Sequence, residues 1–207
     1  MYTNSDDGLA ATGTEMVELD AAAVRTSVEL VARVTAADLV RPTPCAAWTL
    51  RDLLAHMTTQ HHGFAAASNG QDGPEPWQQR PLGADPVQAY RAAARQVLAA
   101  FAADGVLDSP FSLPEISTER RFPAALAISF HLVDYVVHSW DVARTLNVPV
   151  SLEPCILEAA LAVARSVPGG EARLAPGAAF APAVPCPAGS ALDTIVALLG
   201  RSPTWPG

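Results

Sequence analysis

Residues 123 to 147 read P-A-A-L-A-I-S-F-H-L-V-D-Y-V-V-H-S-W-D-V-A-R-T-L-N. Apolar residues occupy most of the circumference of a helix drawn through this stretch, and a helix that is apolar nearly all round is buried. Asn147 shortly before Pro149 is a typical signal for the end of a helix. At roughly 25 residues this is the longest predicted helix, and the other elements are expected to pack around it.

Helices are predicted on both sides of this segment. They cover approximately residues 16–39, 49–68, 87–103, 153–166 and 191–199. Thr49 with Asp52 is an acidic variant of the capping box, and Asp85 before Pro86 is an N-cap followed by a first-turn proline. Residues 111 to 113 form a short extended piece, and no alternating strand pattern of useful length appears. The sequence therefore predicts an all-α protein, a four-helix bundle with a short C-terminal helical appendage.

The composition sets limits on the class of protein. The chain has 207 residues, of which 50% are hydrophobic and 16% charged, so we expect a flexible tail over residues 1–15 and a single domain over 16–207. Lysine is absent and all 13 basic residues are Arg, which together with abundant Ala, Gly and Pro indicates a GC-rich, actinobacterial source. The net charge of -8 and the absence of a basic run argue against a nucleic acid partner, which requires a basic surface.

The chain shows no targeting or membrane signal. Its start is acidic and polar, and no window holds 18 uncharged apolar residues, so a cytoplasmic protein that does not bind membranes is expected. Cys45, Cys155 and Cys186 are an odd number without a C-x-x-C spacing, which predicts free thiols. The apolar composition is compatible with a homodimer.

The histidines fall on only two of the predicted helices. On the 123–147 helix, a rotation of about 100° per residue from His131 places Asp134, His138 and Asp141 within an arc of about 80°. Four titratable side chains therefore share one stripe of a buried helix. The spacing of Asp134 and His138 is the i, i+4 arrangement that brings two ligands to one ion.

Further histidines lie on the 49–68 helix. His56 stands at the edge of its apolar arc, His61 projects into the arc, and His62 points away from it. Burying imidazoles and carboxylates without partners is unfavourable by several kcal/mol, and a divalent cation is one compact way of satisfying them. This donor set suits Zn, Ni, Fe or Mn better than Ca or Mg. A hydrogen-bonded His–Asp pair without metal fits the same spacing, so both interpretations stay open here.

Three segments together resemble one known family. They are T-P-C-A-A-W-T-L-R-D-L-L-A-H (43–56), H-L-V-D-Y-V-V-H-S-W-D-V-A-R (131–144) and A-L-D-T-I-V-A-L-L-G-R-S-P-T-W (191–205). They are similar to the actinobacterial metal-binding family related to the N-terminal domain of mycothiol-dependent maleylpyruvate isomerase, in the DinB/YfiT-like superfamily. The resemblance covers nearly the whole chain after the tail. It implies a DinB-like four-helix bundle that holds a divalent metal, usually zinc.

The resemblance also implies the ligands of that metal. Carried over by motif position, they are His56, Asp134 and His138. Asp134 replaces the Glu of the isomerase, and its shorter side chain requires a closer backbone. Three protein ligands leave an open coordination position, which is typical of a catalytic site. In the family this position is thought to receive the thiolate of mycothiol or bacillithiol.

Three more residues are candidate catalytic residues. We expect Asp141 to orient the second ring nitrogen of His138. Arg144 is a candidate to hold a substrate carboxylate or to act as a C-terminal helix dipole partner. His131 lies about 10 Å along the helix axis from His138, so we expect it to support the ligands from behind or to face the substrate, and not to bind the metal.

The function implied by the resemblance is that of a metal-dependent enzyme. It would use a low-molecular-weight thiol for S-transfer, conjugation or isomerisation of a small electrophile. One alternative is a metal- or small-molecule-binding protein without catalysis, and another is a biosynthetic enzyme that kept the bundle but changed the chemistry. The substrate-facing residues are expected in the loops 69–86 and 104–122.

Overall fold

The computed structural model describes residues 11–45, 48–175, 178–186 and 189–206. Within these ranges the fold is mainly helical, as predicted. The α-helices are α1 (Gly13–Val31), α2 (Leu50–Ser68), α3 (Pro86–Phe101), α4 (Ala124–Leu146), α5 (Pro154–Ser166) and α6 (Ala191–Leu198). Short 3-10 helices lie at Asp38–Val40, Glu75–Trp77 and Gly170–Arg173, and the strands β1 (Phe111–Ser112) and β2 (Arg121–Phe122) form an antiparallel hairpin.

The predicted helix boundary signals are confirmed at three positions. The Thr49 hydroxyl accepts the Asp52 backbone N–H, while the Asp52 carboxylate accepts the Thr49 backbone N–H at 3.0 Å. The Asp85 carboxylate accepts the first-turn N–H of Gln88 at 3.0 Å. Asn147 closes α4 in the left-handed conformation, with φ of 56°. The first and third of these contacts fix ends of α2 and α4, and the second fixes the start of α3.

The first helix differs from its prediction at both ends. It begins at Gly13, inside the predicted tail, because Thr12 and Glu15 form a second capping box. It ends at Val31, because the backbone N–H and hydroxyl of Thr35 both donate to the Asp38 carboxylate and turn the chain into a 3-10 helix. Residues 1–10 of the predicted tail lie outside the described residues. The single-domain division at residue 16 stays a prediction.

The bundle consists of α1 to α4. Helix α1 packs on α4 and α3, and α2 packs on α3 and α4, while α5 and α6 add a further layer against α4. Most of α4 is buried, as its nearly continuous apolar surface predicts. No helix in the described part of the chain combines the length and apolar character that crossing a lipid bilayer requires. The central position of α4 places its polar stripe between the other helices.

Candidate metal centre

Three side chains from two helices converge between α2 and α4. His56 comes from α2, and Asp134 and His138 come from α4, one turn apart. One nitrogen or oxygen of each lies within 4.8 Å of those of the other two. His138 Nε2 is 3.2 Å from Asp134 Oδ1, and His56 Nε2 is 3.9 Å from Asp134 Oδ2. The structure therefore brings together the three residues that the sequence suggested as ligands.

Asp141 fixes the orientation of the His138 ring. The Nδ1 atom of His138 is 2.9 Å from Asp141 Oδ2 and donates its proton to that carboxylate. The Nε2 atom therefore faces His56 and Asp134. A carboxylate that accepts from the distal nitrogen of a ligand histidine sets its tautomer and raises its basicity. This is the position expected for Asp141.

The charges of the three side chains differ because their surroundings differ. Burial lowers the pKa of His56 to about 4, so its imidazole is neutral at pH 7. Burial opposes ionisation of Asp134, but the charge and hydrogen bond of His138 outweigh it and hold the pKa of this carboxyl well below its ordinary value. Burial also opposes protonation of His138, but Asp134 and Asp141 raise its pKa to about 9. A metal ion that binds through His138 Nε2 must displace this proton.

These residues fit a divalent transition metal. Asp134 Oδ2 is buried and has no hydrogen-bond partner among the described residues, and an unsatisfied buried carboxylate oxygen is costly without a cation. Two imidazoles and one carboxylate are the donors that zinc and its neighbours prefer. The side chains of His56 and Asp134 are 27% and 17% exposed, so the cluster is open to solvent on one side.

The surroundings of the open side include an aromatic ring and a polar pair. The Trp48 ring is tilted against that of His56, with 4.9 Å between their centroids. One turn beyond His56, the Gln60 amide donates to a carboxylate oxygen of Glu115 at 2.8 Å. Burial raises the pKa of Glu115. Glu115 belongs to the β1–β2 connection, so one of the two loops expected to face the substrate is tied to α2 beside the ligand cluster.

His131 belongs to a different cluster. Its imidazole is completely buried, with Nδ1 at 2.7 Å from Asp20 Oδ1 and Nε2 at 3.2 Å from His61 Nδ1. The His61 ring is stacked on Tyr135, with 4.1 Å between their centroids. The alternative in which His131 faces the substrate is therefore corrected, because its ring points into the bundle toward α1. The His61 side chain points into the bundle as predicted, and it contacts His131 there.

Arg144 contacts the C-terminal segment, which comprises residues 198–206. Its Nε donates to the backbone carbonyl of Trp205 at 2.9 Å, Nη2 donates to the same oxygen, and the guanidinium lies 5.6 Å from the centroid of the Trp140 ring. Arg144 lies in the last turn of α4, as the role of helix dipole partner requires, and its side chain also joins α4 to a loop carbonyl distant in sequence. A contact with a substrate carboxylate stays a prediction.

The sequence reasoning missed Arg201. Its Nη2 donates to Asp141 Oδ2 at 3.3 Å and to the sulfur of Cys45 at 3.7 Å. Burial would raise the pKa of Asp141, but the charge of Arg201 and the hydrogen bond of His138 lower it below its ordinary value. Arg201 stands in the quoted segment 191–205, but no local spacing connects it with a residue sixty positions earlier.

The cysteines carry no disulfide in the described residues, as predicted. Cys45 is partly buried, and burial raises the pKa of its thiol to about 11 against the opposing charge of Arg201. The thiol therefore stays protonated at neutral pH.

Helical bundles can hold a metal between histidines and carboxylates on facing helices, and the arrangement of His56, Asp134 and His138 is of this kind. The family model described as the mycothiol maleylpyruvate isomerase N-terminal domain matches residues 21–143. The chain therefore belongs to this family, as the sequence motifs indicated.

Two relatives and one solved structure extend the comparison. Uncharacterized proteins of two Mycobacterium tuberculosis strains, CDC 1551 / Oshkosh and ATCC 25618 / H37Rv, are each 35% identical over 176 residues, which is 84% of this chain and 90% of theirs. The crystal structure of the mycothiol-dependent maleylpyruvate isomerase aligns with a TM-score of 0.56 and 13% identity, over 74% of this chain and 70% of that chain. At this identity the match supports the fold alone.

Proposed function

We propose that this chain is a metal-dependent enzyme that uses a low-molecular-weight thiol of the mycothiol type. Its substrate would be a small electrophile, and the reaction an S-transfer, conjugation or isomerisation. The observation that carries the proposal is the convergence of His56, Asp134 and His138 on the solvent-accessible side of a buried polar stripe. Membership of a family named for a mycothiol isomerase supports the choice of thiol.

The three residues would hold the ion, and zinc is the expected metal. When bound, a divalent ion supplies Lewis acidity that lowers the pKa of a coordinated thiol or water. His56 contributes a neutral imidazole, Asp134 contributes an ionised carboxylate, and His138 contributes Nε2 after it releases its proton. Three protein ligands leave a position for a small ligand.

The remaining residues would orient the ligands and enclose the metal site. Asp141 keeps the Nδ1 proton on the His138 ring and so directs Nε2 toward the ion. Trp48 covers one side of His56 and limits the access of water. His131, although buried, would act from behind the ligands, where its contacts with Asp20 and His61 join α1, α4 and α2.

The ligand set is tested by metal analysis of protein purified without chelator and without a nickel column. We expect about one equivalent of a transition metal in the wild type, and its loss in His56→Ala, Asp134→Ala and His138→Ala. The matched control is His62→Ala, because His62 lies on α2 but contacts Gln96 outside the cluster. Full metal content in the three ligand variants would place the ion elsewhere.

The thiol is tested by thermal unfolding. We expect mycothiol to raise the melting temperature of the metal-loaded wild type and to leave the His138→Ala protein unchanged, because a ligand that binds only the folded, metal-loaded state stabilises it by mass action. An equal shift in both proteins would mean that the thiol binds independently of the metal. No shift in either would favour a metal-binding protein that does not use a thiol.

A further inference from the structure

We propose that the C-terminal segment is a working part of the metal centre, in which Arg201 positions His138 through Asp141. The inference rests on the proposed function and deepens it. Arg201 lies after α6, outside the residues 21–143 that the family model matches. It is a positioning residue, since its hydrogen bonds go to Asp141, Cys45 and the Leu199 carbonyl and not to the three candidate ligands.

The contacts of Arg201 place it in the interior. The residue is 5% exposed, and its Nη2 reaches Asp141 Oδ2 at 3.3 Å, the same oxygen that accepts the His138 proton. Its Nη1 donates to the backbone carbonyl of Leu199 at 2.9 Å. The guanidinium also lies 5.6 Å from the centroid of the Phe180 ring. Arg201 therefore donates to the carboxylate of Asp141, which orients the candidate ligand His138.

The charge of this arginine is needed where it lies. Asp141 is completely buried, and its other carboxylate oxygen has no partner among the described residues. A buried carboxylate without a paired cation is unfavourable by several kcal/mol. Once His138 has released its proton to bind a metal, Arg201 is the cation that remains paired with Asp141, at 3.3 Å. Without it, Asp141 has a reason to turn away or to take up a proton.

The same guanidinium spans the two parts of the chain that provide the ligands. Cys45, whose sulfur accepts from Arg201 Nη2, lies in the loop that leads into α2 and His56. Asp141 lies on α4 with the other two candidate ligands. One side chain from the C-terminal segment therefore bridges both ligand-bearing elements, which is the arrangement expected of a group that holds ligands at a set distance.

Independent contacts seat the segment that delivers Arg201. The Arg173 guanidinium donates to the carbonyl of Leu198, and the Arg144 guanidinium donates to the carbonyl of Trp205. These two anchors lie before and after Arg201 in the sequence. They hold the segment without touching Asp141, so they supply a matched control for the role of Arg201.

The test compares metal affinity in the wild type and two variants of the full chain. We expect Arg201→Ala to bind Zn²⁺ about 10-fold more weakly than the wild type in competition with a chelator, the lower end of the range for a direct partner of a ligand, because Arg201 acts through Asp141. Arg173→Ala removes an anchor of the same segment, and its affinity should stay within about twofold of wild type. Added guanidinium should restore part of the affinity of Arg201→Ala, because it can enter the space that the side chain leaves.

A double-mutant cycle with Asp141→Asn separates positioning from general loosening. If Arg201 acts through Asp141, the affinity lost in the double variant is close to that lost in the larger single variant. Losses that multiply, or an Arg201→Ala affinity equal to wild type, would overturn the inference. If Arg201→Ala does not fold, the cycle is run with Arg201→Lys, which keeps the charge and loses the planar fork.

A spectroscopic measurement does not depend on activity. In the wild type, the Nδ1 proton of His138 should give a slowly exchanging, downfield NMR signal, and Arg201→Ala should shift or broaden it while Arg173→Ala leaves it in place. An unchanged signal in Arg201→Ala would contradict the inference. If the wild type itself binds no metal, the proposed function fails; if it binds metal and Arg201→Ala binds equally well, only this inference fails.

Discussion

Removal of the Asp20 carboxylate should destabilise the bundle strongly. Asp20 and His131 are both completely buried and share a hydrogen bond of 2.7 Å. In Asp20→Ala, His131 Nδ1 loses its partner in a site that water does not reach. Breaking a buried hydrogen bond by removing one partner leaves the other group unsatisfied and typically costs about 1–3 kcal/mol of the free energy of unfolding. For a chain of this length that corresponds to a fall in melting temperature of about 2–12 °C.

Circular dichroism during thermal and urea unfolding measures this loss. Asp20→Asn keeps an acceptor for His131 and should lose only about 1 kcal/mol. The matched control is Asp72→Ala, since Asp72 pairs with Arg121 at a half-exposed position where an ion pair contributes about 0–1 kcal/mol. If Asp20→Ala is no less stable than Asp72→Ala, the buried cluster does not hold α1 to α4 and the reasoning is refuted.

Further predictions concern protons, packing and capping. Metal uptake at pH 7 should release about one proton, because the pKa of His138 is about 9 while that of His56 is about 4. The metal affinity should therefore rise about tenfold per pH unit between pH 5 and 8. Calorimetry in two buffers measures the number of protons released, and a value near zero would contradict the prediction. Gly63→Ala should lower the free energy of unfolding by about 1–3 kcal/mol, because a Cβ there would lie 2.5 Å from Trp77 ring atoms. A urea midpoint equal to that of the wild type would contradict this. Thr49→Ala should cost about 1 kcal/mol through the lost N-cap, and an unchanged urea midpoint would speak against it.

The sequence predicted those features that depend on neighbours along the chain. The stripe of α4 follows from helical periodicity, so Asp134 and His138 had to share a face. The Thr49 capping box needs only residues three apart. The early end of α1 also depends on neighbouring residues, namely the hydrogen bond from Thr35 to Asp38. It was not predicted because the apolar spacing was equally consistent with a helix that continues through these residues.

Contacts between distant residues could not be predicted in this way. Asp20 and His131 are 111 positions apart, and Arg201 and Asp141 are 60 apart. Each pair is made by helix packing, which periodicity does not specify. His131 shared the stripe of the candidate ligands on a helical wheel, but its ring reaches α1 where Asp20 is buried. A wheel gives the direction of a side chain and leaves its partner undetermined.

The central claim is a metal held by His56, Asp134 and His138 with a position open to a thiol. The most direct measurement is the visible and near-ultraviolet spectrum of the chain loaded with Co²⁺, recorded before and after the addition of mycothiol. Tetrahedral cobalt bands should appear on loading, and a sulfur-to-cobalt charge-transfer band should appear with the thiol, with neither seen in His138→Ala. Cobalt bands that do not respond to the thiol, or identical spectra for the wild type and His138→Ala, would contradict the claim.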